Sequence, residues 1–174
     1  MVRREILEPP WLVAARQDAG LREVSGPQSH PTILQWAKNM GGFVASYFTD
    51  DQTPWCALAM NAWLERVRLP LSGRPGSADL LRAKSFLSYG RALDAPCRGA
   101  ILVFERPGGF HVGLYTGESF QDYRVYGGNQ HDAVGNTWIR QRRCLAMRWP
   151  DCDIAPTGRV FVQPDGSPHS QNES

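Results

Sequence analysis

One stretch organises the rest of the chain, and its sequence is Thr53-Pro54-Trp55-Cys56-Ala57-Leu58-Ala59-Met60-Asn61-Ala62-Trp63-Leu64-Glu65-Arg66-Val67. Pro54 has the fixed φ that suits the first turn of a helix, where its missing N–H leaves no bond unmade. Thr53 precedes it as a candidate N-cap. We therefore expect Cys56 in the first turn, where unpaired backbone N–H groups and the helix dipole stabilise a thiolate. Apolar residues at helical spacing are expected to seat the helix in the core: Ala59, Met60, Trp63 and Val67.

A lone cysteine near a helix start is more often a small core residue than a nucleophile, so a functional interpretation needs a base. Residues 109–115 form a predicted short strand that carries His111. Residues 123–130 form another predicted strand, which ends in two glycines and the carboxamides Asn129 and Gln130. A cysteine, a histidine and a polar group that orients the imidazole are the parts of a nucleophilic site. Strand register decides which carboxamide faces His111, so both remain open at this point.

The same residues resemble a known family. The Trp55-Cys56 pair, the strand of residues 99–104, the His111-Val112-Gly113 strand and the Gly127-Gly128-Asn129-Gln130 strand end resemble papain-like bacterial and phage cell-wall peptidases of the NlpC and CHAP type. Small single-domain phage-type peptidoglycan hydrolases are the most similar, and their pattern includes a leading Trp-x-x-x-Ala helix and a Gly-x-x-Glu-x-x-Gly turn. Here these are Trp11 to Ala15 and Gly20 to Gly26. The resemblance spans roughly residues 10–150, with Gly99-Ala100 where the family usually has Gly-Asp.

The resemblance implies a function and a set of site residues. Cys56 would be the nucleophile, His111 the general base and then acid, and Asn129 the residue that orients the imidazole, with Gln130 as the alternative. The family pattern favours Asn129. Substrate contacts are expected from Trp55, Asp51 and Gln130. Asp51 is included because acidic residues usually precede the Trp-Cys pair in this family. The implied reaction is cleavage of an amide bond in the peptidoglycan stem peptide, with no metal and no organic cofactor.

Helical patterns come first and strand patterns last, which predicts an α+β fold. The resemblance implies the papain-like version, with N-terminal helices packed on a C-terminal antiparallel sheet and the catalytic cysteine at a helix N-terminus. Helices are predicted for residues 11–20, 32–40 and 77–90, besides the Cys56 helix, and a strand meander follows from residue 100. Residues 1–150 are expected to form one domain. Residues 151–174 are rich in Asp, Pro, Gly and Ser, which predicts a partly disordered tail.

The net charge and the distribution of apolar residues indicate which partners are not expected. The chain has 174 residues and a formal net charge of +2, so no strongly basic surface for nucleic acid is expected. No segment has the length and apolarity of a membrane span or a signal peptide. We therefore expect synthesis in the cytoplasm. The resemblance implies that the protein then acts, as an expected monomer, on peptidoglycan in the periplasm or cell wall. A holin-type lesion, a secretion machine or a phage particle would have to deliver the protein there.

Cysteine usage argues against disulfides and metals. If Cys56 is the nucleophile, three of the four cysteines remain, and an odd remainder does not make a complete disulfide framework. Cys144 and Cys152 are close enough in sequence to pair, but a cytoplasmic origin favours free thiols. The four histidines are not grouped at metal-ligand spacing.

Three further polar features have two interpretations each. Glu23 lies between the glycines of its turn and could brace the backbone or line the cleft, with bracing favoured. His131 is a rival base, although a surface loop is its expected place. The basic run of residues 140–143 is expected on a solvated strand edge, with contact to a wall polymer as the alternative.

Two other functions stay open. A toxin-like amidase delivered into rival bacteria would use the same site. A non-catalytic wall-binding or particle-assembly module could keep the fold, but it would have no need of a thiol opposite an imidazole.

Overall fold

The computed structural model of the protein describes residues 8–170, and its architecture is α+β as the order of patterns predicts. In this range the α-helices are Pro10–Arg16 (α1), Pro31–Met40 (α2), Gly42–Tyr47 (α3) and Cys56–Arg66 (α4). Short 3₁₀-helices span Ala78–Leu81, Ala83–Ser88 and Gln141–Arg143. The strands are Arg91–Ala92 (β1), Ile101–Arg106 (β2), Gly109–Glu118 (β3), Asp122–Gln130 (β4), Ala133–Arg140 (β5) and Cys144–Trp149 (β6). None of the helices in the described range is long and apolar enough to cross a membrane.

Helix α4 lies at the centre of the fold. It packs against α1 and α2 on one side and against β3 and β4 on the other. Every residue from Cys56 to Leu64 is buried, which explains why the helix is apolar nearly all round. The one buried amide, Asn61, is satisfied: its Nδ2 donates to the carbonyl oxygens of Ala57 and Leu80, and its Oδ1 accepts the Ser72 N–H at 2.9 Å. The predicted apolar stripe of α4 is therefore confirmed, with Val67 only partly buried beyond the helix end.

The start of α4 differs from the prediction by two residues. The helix begins at Cys56, and its N-cap is Trp55, not Thr53. The Thr53 hydroxyl donates instead to Asp50 Oδ1 at 3.3 Å, in a local turn that also takes up the Thr53 N–H. Pro54 therefore precedes the helix and does not form its first turn. Cys56 is the first helical residue, so the prediction that it lies in the first turn holds.

The sheet order is β1-β6-β2-β3-β4-β5, and neighbouring strands are antiparallel. Strands β2 to β4 form the predicted meander, and β5 extends it. Strand β6 confirms the strand expected near residues 145–150, and it lies beside β2 on the other side of the sheet. Because β3 and β4 are antiparallel, the first residues of β3 and the last residues of β4 lie at the same end of the sheet, next to the start of α4.

Strand β5 was missed because residues 132–136 look like a polar loop. His131 and Asp132 both have positive φ, 52° and 60°, and they link the paired residues Gln130 and Ala133. Two consecutive residues with positive φ are typical of the tight turn that matches strand twist. His131 is exposed in this turn, so it is a surface residue as predicted.

The helix predicted for residues 77–90 is two 3₁₀-helices, separated by Arg82 in an extended conformation. Its buried residues recur every third position, which fits three residues per turn better than 3.6. They are Leu80, Ala83, Phe86 and Tyr89.

Helix α3 begins at Gly42, the second of the two glycines that were expected to end α2. At Gly42 an added Cβ would lie 2.9 Å from the Gly76 Cα, so this glycine permits a close backbone contact. The first helix ends at Arg16, four residues earlier than predicted.

The C-terminal segment crosses the sheet up to residue 170. Val162 N–H bonds the Glu118 carbonyl at 3.0 Å, and Trp138 N–H bonds the Pro168 carbonyl at 2.9 Å. The His169 ring stacks on Trp138. The tail predicted to be partly disordered thus makes specific contacts over its described part, and residues 171–174 lie outside that part.

Candidate active site

Cys56 and His111 lie in contact. Cys56 is the first residue of α4, and His111 is near the start of β3, opposite Phe104 of β2. A hydrogen bond joins the thiol to the imidazole, and the Val112 N–H also donates to the sulfur. Both residues are almost buried, with 5% of Cys56 and 1% of His111 exposed. The structure thus brings together the thiol and the base that the sequence placed 55 positions apart.

The surroundings favour the thiolate. Burial by itself raises the pKa of Cys56, but the hydrogen bond and the charge of His111 more than offset it, so the pKa is lowered overall. The Val112 N–H and the positive charge of Arg106 act in the same direction. The start of an α-helix adds unpaired N–H groups beside the sulfur. An ordinary cysteine in an apolar core would show the opposite shift.

Gln130 is the carboxamide that faces the imidazole. Its Oε1 lies 3.0 Å from His111 Nε2. Its Nε2 donates to two backbone carbonyls, those of Val125 at 3.1 Å and Gly135 at 2.6 Å. Because the amide nitrogen donates to carbonyl oxygens, the amide oxygen must face His111 and accept a hydrogen bond from its Nε2–H. This arrangement selects the tautomer in which Nδ1 is the basic nitrogen available to the thiol.

Glycines make room for this carboxamide. A Cβ on Gly127 would lie 3.0 Å from Gln130 Oε1, and a Cβ on Gly113 would lie 2.5 Å from a methyl carbon of Val125. The Gln130 side chain can therefore fold back over its own strand and stay 4% exposed. Gly127, the first glycine of the Gly-Gly pair, thus leaves room for the Gln130 carboxamide.

The hydrogen bonds of Asn129 go to other residues, so the geometry favours Gln130 over Asn129 as the residue that orients the imidazole. The β4–β5 pairing shifts register between Gly127 and Gln130, and Asn129 has a φ of 55°. This irregularity turns Asn129 toward the start of α4. With its amide assigned by its hydrogen bonds, Oδ1 accepts the Trp55 N–H at 3.3 Å and Nδ2 donates to Glu23 Oε1 at 3.0 Å.

Glu23 completes this support. Its Oε1 also accepts the Trp55 indole N–H at 2.6 Å, and its own N–H bonds the Asp132 carbonyl. Burial raises the pKa of this carboxyl, while the indole hydrogen bond opposes the effect. Glu23 therefore braces the residue next to Cys56, as the sequence analysis favoured. Trp55 has no exposed surface, so its predicted contact with substrate is not supported.

Asp51 also has a supporting position. It is fully buried, and its Oδ2 accepts the Val24 N–H at 3.1 Å and the His30 N–H at 2.7 Å. Through these bonds it holds the loop that carries Glu23. The predicted role of Asp51 in binding substrate is not supported, because a carboxylate without exposed surface offers nothing to a ligand.

No family model, curated protein or solved structure matches the chain. Residues 8–170 contain no group of three His, Cys, Asp or Glu side chains that could hold a metal. The four cysteines are all free thiols, Cys144 and Cys152 included.

One nearby residue escaped the sequence analysis. Arg106 ends β2 just before the Pro107-Gly108 turn, and its charge reaches the Cys56 sulfur. The sequence did contain a signal for this residue. Arg106 is a cation directly before a hairpin turn, and its strand precedes the one that carries His111. It was missed because charged residues beside turns are ordinarily solvated.

The thiols should differ in reactivity. We expect iodoacetamide at pH 7 to modify Cys56 faster than Cys97 or Cys144, even though Cys56 is nearly buried. Burial raises the pKa of each of these other two thiols to about 11, whereas the pKa of Cys56 is lowered. Cys56 should react faster because only the thiolate attacks iodoacetamide, and a thiol with a lower pKa has a larger thiolate fraction at pH 7. Peptide mass spectrometry over a time course measures each rate.

The matched variant for this experiment is His111→Ala. Removing the imidazole leaves burial as the main influence, so the pKa of Cys56 should rise and its alkylation at pH 7 should slow by about tenfold or more. Cys97 and Cys144 serve as internal standards. Equal rates for Cys56 in the two proteins would contradict the proposed thiol–imidazole interaction.

Proposed function

We propose that the protein is a cysteine-dependent hydrolase of papain-like type that cleaves an amide bond of the peptidoglycan stem peptide. The observation that carries the proposal is the Cys56 thiol at the start of α4, hydrogen-bonded to a histidine whose Nε2 lies 3.0 Å from Gln130 Oε1. A binding surface has no use for a thiol of lowered pKa held against an oriented imidazole.

In the proposed mechanism His111 Nδ1 takes the thiol proton, and the Cys56 sulfur attacks the carbonyl carbon of the scissile amide. The imidazolium then gives this proton to the leaving amine, and the C–N bond breaks to leave a thioester on Cys56. Water, deprotonated by the same nitrogen, attacks the thioester and releases the carboxylic acid. Gln130 Oε1 accepts a hydrogen bond from the His111 Nε2–H throughout, and as a neutral amide it orients the ring without taking the proton.

The start of α4 also supplies a means to stabilise the oxyanion. The N–H of the first helical residue, Cys56, has no partner within the helix. Such donors, aligned with the helix dipole, favour the negative charge that develops on the carbonyl oxygen. The Glu23–Asn129 bracing of Trp55 would keep this N–H in place relative to the sulfur.

The substrate class comes from the resemblance to cell-wall peptidases. A Cys/His pair serves amides, esters and thioesters alike, so the site chemistry supports acyl transfer in general. Peptidoglycan stem peptides are the amide substrates of the hydrolases that the Trp55-Cys56, His111 and Gly127–Gln130 segments resemble.

The test is digestion of purified peptidoglycan by the wild type and by His111→Ala. We expect only the wild type to release soluble fragments, with one new carboxylate and one new amino group on opposite sides of each cleaved bond. Mass spectrometry of these fragments identifies the bond. Intact peptidoglycan that sediments with both proteins would overturn the enzyme proposal and favour a binding module.

A further inference from the structure

A groove bordered by arginines lies beside the candidate site. Its volume is about 540 Å³, and we name it the arginine groove. Three arginines and one glutamate line it together with a proline: Glu105, Arg106, Pro107, Arg142 and Arg143. It joins the end of β2 to the 3₁₀-helix before β6. Cations outnumber carboxylates three to one in its lining, which favours an anionic ligand.

Arg106 connects this groove to Cys56. Phe104 is the register partner of His111, and Arg106 is the partner of Gly109. Because side chains alternate along a strand, Phe104 and Arg106 project from the same face of the sheet, the face that carries the His111 ring. The groove therefore begins two strand positions from the imidazole. The charge of Arg106 already acts on the sulfur, behind the larger effects of burial and of His111.

The arginines have different degrees of anchoring. Arg143 Nε donates to the Glu105 carbonyl at 3.1 Å, which fixes its guanidinium against the groove. Arg142 is exposed. The Nε of Arg106 is buried and has no acceptor among residues 8–170. A buried donor without an acceptor is costly, and a carboxylate that takes the paired N–H groups of a guanidinium would remove that cost.

We propose that the arginine groove binds a free carboxylate of an acidic peptide substrate and so places the neighbouring amide at Cys56. This inference rests on the proposed function, because it assigns the groove to the same substrate. Stem peptides carry free carboxylates close to their amide bonds. A guanidinium fork recognises a carboxylate by two parallel charge-assisted hydrogen bonds, and an uncharged amide cannot replace it.

The experiment measures binding in the Cys56→Ala background, so that neither hydrolysis nor the thiol pKa intervenes. The probes are soluble stem-peptide fragments of purified peptidoglycan, used either untreated or with their carboxylates converted to amides by carbodiimide and ammonia. We expect the untreated fragments to bind about tenfold to a hundredfold more tightly, as loss of charged hydrogen bonds predicts. Adding Arg106→Gln should weaken binding of the untreated fragments by a similar factor and abolish the difference between the two probes.

Two further variants make the result decisive. Arg142→Gln should weaken binding, because it removes a cation from the same groove. It should not affect folding, because the side chain of Arg142 is exposed. Arg74→Gln changes an exposed arginine outside the groove and should leave Kd unchanged. Equal Kd values for the two probes, no measurable binding of either, or retention of the difference in both groove variants would each overturn the inference. Failure of the proposed function would give a different result from failure of this inference. In that case the wild type would cleave neither preparation, and the Kd values would still show whether the groove binds carboxylates.

Discussion

Replacement of Cys56 with alanine is expected to lower the rate of the proposed stem-peptide hydrolysis by about 10⁴-fold or more. The reason is that the covalent route disappears altogether: His111 and the N–H groups at the start of α4 remain, but no atom is left to form the thioester. Losses of this size are typical when a nucleophile is removed from a nucleophile–base pair. The measurement is the release of new amino groups from purified peptidoglycan, normalised to protein concentration.

Cys152→Ala is the matched control for this experiment. Cys152 is a free, partly exposed thiol beyond the last strand, and its loss should leave the rate within about twofold of the wild type. Cys56→Ala should retain the wild-type melting temperature within a few degrees, because it removes a single heavy atom, the sulfur, from the core. A Cys56→Ala protein that stays fully active would exclude the proposed nucleophile, and equal losses in both variants would point to a general effect on folding.

Gly128→Ala is expected to lower the free energy of unfolding by about 1–3 kcal/mol, through overpacking. An added Cβ would lie 2.6 Å from the Ala59 Cβ and 2.7 Å from the Trp55 Cζ3. Both contacts belong to the segment that carries Cys56, and both residues are fully buried, so the strand and the helix would have to move apart. Thermal unfolding should show a fall of about 2–4 °C for each kcal/mol lost. Hydrolysis by the folded variant should also fall, since Cys56 would be displaced from His111.

Gly135→Ala on β5 is the control that separates crowding from a general effect of changing a strand glycine. An added Cβ there meets no atom within 4 Å, and the residue has no positive φ. Its unfolding free energy should therefore stay the same or rise by up to about 1 kcal/mol, because alanine restricts the unfolded chain. Equal destabilisation by both substitutions would contradict a close approach at Gly128.

Several supporting interactions could not be predicted because each depends on residues far apart in the chain. Glu23 meets Trp55 and Asn129 only after α4 and β4 have packed together. Asp51 was interpreted as a cleft residue from its position before the Trp-Cys pair, but its partners lie on the loop of residues 24–30. The arginine groove combines the end of β2 with residues 142 and 143, which follow β5 in the chain.

The sequence by itself determined the α+β class, the burial of α4 and the selection of Cys56 and His111 as candidate site residues. Each of these follows from local information: apolar periodicity, the order of helical and strand patterns, and reactive residue types next to predicted elements. Only the tertiary structure decided between Asn129 and Gln130. On a regular strand their side chains would point to opposite faces, without any indication of which one faces His111. A register shift at the end of β4 and the positive φ of Asn129 turn Asn129 toward Trp55, and Gln130 faces His111. Such a shift arises from how β4 packs on β5 and α4, and no local pattern encodes it.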